Sequence, residues 1–293
     1  MLDDISPKEA GVEENRLEGI SDWLSQQISK DRLAGCSVLV GRRGKVVYFG
    51  STGMSDRETG KRFQRDTIVR IFSMTKPITT VAAMMLYERG AFQLDDRVSK
   101  YLPEFAETPV WKGGKVQDTE VQSNPMLVRH LMTHTSGLTY GFMQSNVIDE
   151  CYRKARLEFK RGRETLEEVV NRLAEIPLIH QPGSQWNYSV SIDVLGRLVE
   201  IWSGMTLEDF MTKHIFEPLQ MVDTGFRVSG RNVERFASLY SPLYGARGMS
   251  SIGSLPEEDA LERRGLKLEE SYLDSQYLQP TRMFSGGGGL VST

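Results

Sequence analysis

The chain has 293 residues, 39% hydrophobic content and a formal net charge of -3. That composition supports a large globular domain with a sizeable core, and the near-balance of charge argues against a nucleic-acid or membrane-surface protein. No apolar run is long enough to span a bilayer. Cys36 and Cys151 lack metal spacing and read as thiols rather than a disulfide. The opening Met1-Leu2-Asp3-Asp4 is acidic and has no apolar core, so a cytoplasmic enzyme is the expectation.

Residues Glu14 to Lys30 read as an amphipathic helix with Leu17, Ile20, Trp23, Leu24 and Ile28 inward. Cys36 to Gly41 and Lys45 to Thr52 read as an antiparallel hairpin joined by Arg42-Arg43-Gly44. An apolar lead-in, Ile68, Val69, Ile71 and Phe72, then runs into Ser73-Met74-Thr75-Lys76. Pro77 is tolerated only in a first helical turn, which places the helix start near Ser73. Ile78, Val81, Ala82, Met85 and Leu86 form the expected buried face, and Gly90 ends the helix.

On such a helix Lys76 lies one turn above Ser73, so an amine stands beside the hydroxyl without any long-range contact. A serine hydroxyl is a poor nucleophile until a base is within hydrogen-bond reach. A desolvated lysine can be that base, and the helix N-terminus adds partial positive charge where an oxyanion would form. The four-residue pattern alone is equally the start of a solvated helix.

Leu94 to Val98 and Tyr101 to Pro103 read as a loop and a short helical turn, and Thr108 to Asn124 as an exposed polar excursion shaping the mouth of a site. Further helices are expected over Met126 to Met132, Asn146 to Lys160, Thr165 to Glu175 and Ser191 to Trp202, the last stopped by Gly204. Thr206 caps another, with Asp209 three residues on. Gln181-Pro182-Gly183-Ser184 is a turn. Tyr240 to Tyr277 looks irregular. Tyr188, between that turn and a helix, can relay a proton if cations surround it; taken alone it reads as a packed ring. Among the four histidines only His130 and His134 are four apart. No third ligand accompanies them, and His134 before Thr135-Ser136-Gly137 reads as a helix stop. A G-x-S-x-G elbow is absent, with Gly248-Met249-Ser250-Ser251-Ile252-Gly253 a near miss, which argues against the ordinary α/β-hydrolase fold. Gly286 to Gly289 reads as a tight strand entry rather than a phosphate nest.

Taken together, Arg70-Ile71-Phe72-Ser73-Met74-Thr75-Lys76-Pro77, Leu131-Met132-Thr133-His134-Thr135-Ser136-Gly137-Leu138, Pro182-Gly183-Ser184-Gln185-Trp186-Asn187-Tyr188-Ser189 and Gly286-Gly287-Gly288-Gly289-Leu290-Val291-Ser292-Thr293 resemble the serine β-lactamase and penicillin-binding superfamily, closest to its class C-like esterase branch. The resemblance runs over nearly the whole chain. It implies an α+β fold, an antiparallel sheet flanked by helices plus an all-helical region. The whole of 1–293 is then one domain, with a helical region over about 75–240 inserted after the hairpin 36–52. By the same resemblance Ser73 is the acylated nucleophile, Lys76 its base or base partner, and Tyr188 the second-motif tyrosine that moves the proton to the leaving group. No metal or organic cofactor is implied, and the substrate is a small-molecule carboxylic ester.

Two departures stand out. Tyr188-Ser189-Val190 has valine where class C β-lactamases have asparagine, which favours an esterase over a β-lactam hydrolase. Family members also continue past the Gly-Gly-Gly-Gly-Leu-Val-Ser-Thr segment into a third motif that supplies an oxyanion amide and further sheet strands. The chain is therefore expected to lack its C-terminal sheet strands. An acyltransferase or β-lactam hydrolase of the same fold is the alternative within this chemistry, and a catalytically silent fragment or binding module the alternative outside it.

Overall fold

The hairpin is longer at both ends than its apolar pattern suggests. Strand β1 is Gly35–Arg42 and β2 is Lys45–Asp56, paired antiparallel from Gly35↔Gly53 to Arg42↔Lys45. Arg43 and Gly44, both at positive φ, form the two-residue turn whose twist matches the strands. A short strand β3, Lys61–Arg62, pairs with the far end of β2 to give a three-stranded sheet in the order β1-β2-β3. The computed structural model describes residues 3–243 and 265–293. The chain divides into two units: one holds the residues up to Val69 with 228–278 and Thr293, the other 70–227 with 279–292.

In the first unit, helix α1 (Glu14–Ser29) lies on the hairpin. Leu17 packs with Ala10 and Val47, and Ile5, Val12, Ile20 and Tyr48 surround them. Leu24 is buried too, but Trp23, expected inward, is 52% exposed. It sits about 100° round the helix from Leu24, off the narrow stripe that faces the sheet. Leu239–Pro242 pairs antiparallel with Leu266–Glu270, so the expectation of irregular chain from Tyr240 to Tyr277 is corrected over these two strands. The near miss to the nucleophile elbow, Gly248 to Gly253, lies outside the described residues.

The second unit is mostly helical: α2 (Thr75–Glu88), α3 (Val128–Met132), α4 (Val147–Lys154), α5 (Leu166–Leu173), α6 (Ser191–Ser203) and α7 (Leu207–Met211). Helix α6 is the hub, packing against α2, α3, α5 and α7. Leu195, Leu198 and Val199 are fully buried, as are Ala82 and Ala83 on α2, whose small side chains let two helix backbones approach. Trp202 stacks on Phe92 with ring centroids 3.9 Å apart. Val81, expected inward, is 50% exposed, because the face of α2 that meets α6 is the one carrying Ala82, Ala83 and Leu86.

The caps behave as their chemistry dictates. Asn146 accepts the amides of Ile148 and Asp149, Thr165 and Glu168 form a reciprocal capping box, and Thr206 accepts the Asp209 amide. Helix α4 stops at Lys154 rather than Lys160. Arg156 takes a left-handed backbone (φ +56), and the amides of Arg156 and Leu157 turn back to the Arg153 and Tyr152 carbonyls at 3.1 and 2.9 Å, a cap that ends the helix with Leu157 buried beyond it.

The excursion from Thr108 to Asn124 is tied down rather than free. Val110–Trp111 pairs with Thr119–Glu120, the Trp111 amide donates to the Leu178 carbonyl at 2.8 Å, and Thr108 Oγ1 donates to the Ala174 carbonyl at 3.0 Å. Both Cys36 and Cys151 are free thiols. Among the described residues no helix is long and apolar enough to cross a membrane.

Candidate active site

Phe72–Met74 form a single 3-10 turn that runs straight into α2, so Ser73 stands at the mouth of the helix with Pro77 inside the first turn. Phe72 adopts a left-handed backbone (φ +42) with its ring half exposed. A bulky residue rarely takes that conformation without cause. Here it turns the chain between Ile71, whose amide donates to the Leu290 carbonyl at 3.1 Å, and the first residue of the helix.

Lys76 is buried, and its Nζ donates to Ser73 Oγ at 3.1 Å and to the Gly287 carbonyl at 2.5 Å. Tyr188, 115 residues away in sequence, donates its hydroxyl to the same Ser73 Oγ at 2.6 Å. The structure thus brings together all three residues singled out from the sequence. Lys76 Nζ also lies over the Tyr188 ring, 4.8 Å from its centroid, and 5.5 Å from that of Tyr140. These aromatic faces stabilise a cation while offering it no proton acceptor.

Two loops hold Tyr188 in place. The run His134 to Tyr140 lies alongside the run Ile179 to Val190, joined by Ile179 N–H to Gly137 O at 2.7 Å, Gly183 N–H to Thr135 O at 2.7 Å and Asn187 N–H to His134 O at 2.8 Å. Asn187 Nδ2 adds a bond to the Leu138 carbonyl. Inside, the hydroxyls of Ser136, Ser191 and Ser189 form a buried chain with O···O separations of 2.7 and 2.6 Å, ending 3.1 Å from His134 Nδ1. The Thr-His-Thr-Ser-Gly-Leu segment is therefore the rail on which the tyrosine loop sits. Gln181 extends the rail to the excursion, donating to Glu120 at 2.7 Å and accepting the Ser123 amide.

His134 does more than stop a helix. It has the left-handed φ (+55) of a stop, and its ring also lies 4.9 Å from that of Tyr188. Burial, and then the nearby Lys76 ammonium, pull its pKa down to about 4, so the ring is neutral at pH 7. His130 Nδ1 is engaged separately by the Leu127 amide, so the two histidines do not act as a pair. Among the described residues no group of three His, Cys, Asp or Glu side chains is placed to hold a metal ion.

Sequence reasoning missed three residues around Lys76. Gly287 supplies the carbonyl that anchors Lys76, and the glycine run was the signal: four in succession mark backbone that must come close to something. Asp193 on α6 is buried and accepts from the Ser285 hydroxyl and the Gly287 amide. Burial holds its carboxyl pKa above the usual carboxylate value, and the hydrogen bonds from Ser285 and Gly287 and the charge of Lys76 offset this only in part. Tyr140, buried beside them and stacked on Phe142, has a phenol whose pKa is raised by burial and then by the Asp193 charge. Neither Asp193 nor Tyr140 has a distinctive sequence signature. Phe72 and Met74, on either side of Ser73, are exposed, as is Trp186, whose ring lies 6.5 Å from that of Tyr188.

Chemically, Ser73 Oγ has two proton-carrying groups within hydrogen-bond reach. One of them is itself held by a carbonyl and two aromatic faces. That arrangement suits nucleophilic attack by serine with proton transfer to and from a neighbouring pair.

Residues 20–293 match the family described as Beta-lactamase. The chain is 38% identical over 290 residues to the esterase EstB of Burkholderia gladioli, covering 95% of this chain and 66% of that protein. It is 34% identical over 279 residues to protein Rv1367c of Mycobacterium tuberculosis, covering 94% and 63%. It therefore spans about two thirds of the length of these relatives. Among solved structures, one described as EstCE1, a hydrolase with promiscuous acyltransferase activity, superposes with a TM-score of 0.71 at 31% identity, over 95% of this chain and 68% of the other. With its antiparallel strands, its helical unit and a family match over nearly its whole length, this chain belongs to the beta-lactamase family.

Proposed function

We propose that the chain is a serine hydrolase that cleaves small carboxylic esters through an acyl-enzyme on Ser73. The observation that carries this reading is the convergence of Tyr188 Oη and Lys76 Nζ on one oxygen, Ser73 Oγ. In the acylation half, Oγ attacks the ester carbonyl carbon and its proton passes to the Lys76–Tyr188 pair. The tetrahedral oxyanion forms close to the N-terminus of α2, whose partial positive charge favours it. Collapse breaks the bond to the alcohol oxygen, which leaves with a proton returned by the same pair. Water then attacks the acyl carbon, gives its proton to the pair, and the acid departs as Ser73 regains its hydrogen.

The relatives support this choice of chemistry. EstB is named an esterase, and EstCE1 is described as a hydrolase that also transfers acyl groups. The latter description favours one second reading, in which an alcohol takes the place of water in the second half. The exposed Phe72, Met74 and Trp186 suit apolar substituents on either side of the ester.

The test is labelling by a fluorophosphonate, followed by intact mass and peptide mapping. One adduct on Ser73, and none on the Ser73→Ala variant, is expected. Ser73→Ala should also lower turnover of a short-chain nitrophenyl ester by at least about three orders of magnitude. An adduct on another serine, with Ser73 free, would reject the reading.

A further inference from the structure

Asp193 is the third residue of α6 and 1% exposed. Its Oδ1 accepts from the Ser285 hydroxyl at 2.5 Å and from the Gly287 amide at 3.0 Å. The carbonyl of that same Gly287 accepts from Lys76 Nζ at 2.5 Å. A single glycine is thus held at its amide by a carboxylate and at its carbonyl by an ammonium. A Cβ on Gly287 would fall 2.3 Å from Asp193 Oδ2 and 3.1 Å from the Tyr140 hydroxyl oxygen, so this residue cannot carry a side chain without displacing the carboxylate.

An asparagine could accept from both donors in the same place. What it would lack is the charge. Burying a carboxylate is unfavourable unless something compensates for it, and a neutral acceptor would have met the two hydrogen bonds at lower cost. The groups that face the carboxylate are Ser285 and Gly287 from the glycine segment, Lys76 from α2 and Tyr140 from the loop after α3. Lys76 is the one cation among them.

We infer that Asp193 is a positioning residue for the reaction: acting through Gly287 it fixes the ammonium of Lys76 beside Ser73, and it supplies the counter-charge of that ammonium. The inference rests on the reading of Ser73 as the acylated residue with Lys76 handling its proton. An amine displaced by a fraction of an ångström loses its alignment with the hydroxyl, and misplacement of about 1 Å costs on the order of 100-fold in rate.

The experiment measures the rate of fluorophosphonate labelling and the kcat and KM for a nitrophenyl ester across a range of pH, with a thermal melt of each protein. Wild type, Asp193→Asn and Ser285→Ala are compared. Asp193→Asn should label on the order of 100-fold more slowly, with the loss in kcat and little change in KM. The ascending limb of its pH–rate profile should move, because the charge beside the groups that handle the proton has changed. Ser285→Ala keeps the charge and loses one hydrogen bond, so its rate should fall while its limb stays in place. A purely structural role for Asp193 would lower the melt and leave the limb unmoved. A folded Asp193→Asn with the wild-type rate and limb overturns the inference. If that variant does not fold, a Ser285→Ala protein that labels at the wild-type rate overturns it instead. Wild type that does not label on Ser73 overturns the acyl-enzyme reading, and this inference with it.

Discussion

Thr79 and Gly286 hold each other at backbone distance. Thr79 Oγ1 donates to the Gly286 carbonyl at 2.8 Å, and a Cβ on residue 286 would lie 3.0 Å from Thr79 Cγ2 and 2.8 Å from the Ile192 carbonyl oxygen. The glycine run therefore sits wedged between the second turn of α2 and the start of α6, one residue before the carbonyl that anchors Lys76. Gly286→Ala must push one of the two helices away, and overpacking of this kind costs about 1–3 kcal/mol. A denaturant melt should show that loss. Fluorophosphonate labelling of Ser73 should slow in the same variant even where it is fully folded.

Lys76 and Tyr188 share one oxygen, so their contributions should not multiply. Groups that act as a unit give strongly non-additive losses. Lys76→Ala, Tyr188→Phe and the double variant are compared by acylation rate. The double variant is expected to be little slower than the worse single one. A double loss equal to the product of the single losses would show that the two act independently.

The depressed pKa of His134 makes folding sensitive to acid. In the unfolded chain the ring takes a proton near pH 6.5, whereas in the folded protein it does so only near 4. Between those values the unfolded state binds the extra proton. Stability therefore falls as pH drops through this window and levels off below about 4. Allowing for solvent around the half-buried ring, the effect is about 1–2 kcal/mol. His134→Gln, melted at both ends of the window, should lose less stability on acidification than wild type. An equal loss in both proteins would remove His134 as the cause.

Val190 is fully buried and follows Tyr188 by two residues. Its motif resembles that of class C β-lactamases except that valine, which cannot hydrogen-bond, stands where they have asparagine. A short-chain nitrophenyl ester should therefore have a higher specificity constant than a chromogenic cephalosporin, measured side by side. The opposite order would reverse the ranking of ester over β-lactam.

Local chemistry was the legible part of this chain. The three-residue spacing of Ser73 and Lys76 is fixed by the helix itself, and Pro77 fixes where that helix begins. The caps at Asn146, Thr165 and Thr206 and the hairpin turn at Arg43-Gly44 also follow from side-chain and backbone preferences within a few residues. What depends on a partner distant in sequence was not legible. The outward turn of Trp23 and Val81 depends on which stripe of each helix meets its neighbour. The end of α4 is a left-handed turn at Arg156, a residue type that gives no stop signal, with Leu157 buried just beyond it. At the site, Tyr188 could be placed from its resemblance to a family motif, whereas an isolated Asp193, on an otherwise apolar helix face, carries no sign that a glycine 94 residues on will meet it.

The left-handed backbone of Phe72 sets heat resistance and speed against each other at one position. Glycine or asparagine adopts that conformation with less strain than a bulky aromatic residue. A library selected for survival at high temperature alone should therefore gather Phe72→Gly. The same change frees the pivot that aims Ser73 at its two proton partners, so survivors should be sturdier and slower. Selection that alternates heating with turnover should instead keep a large residue at 72 and find its gains elsewhere, for example at the exposed end of α1.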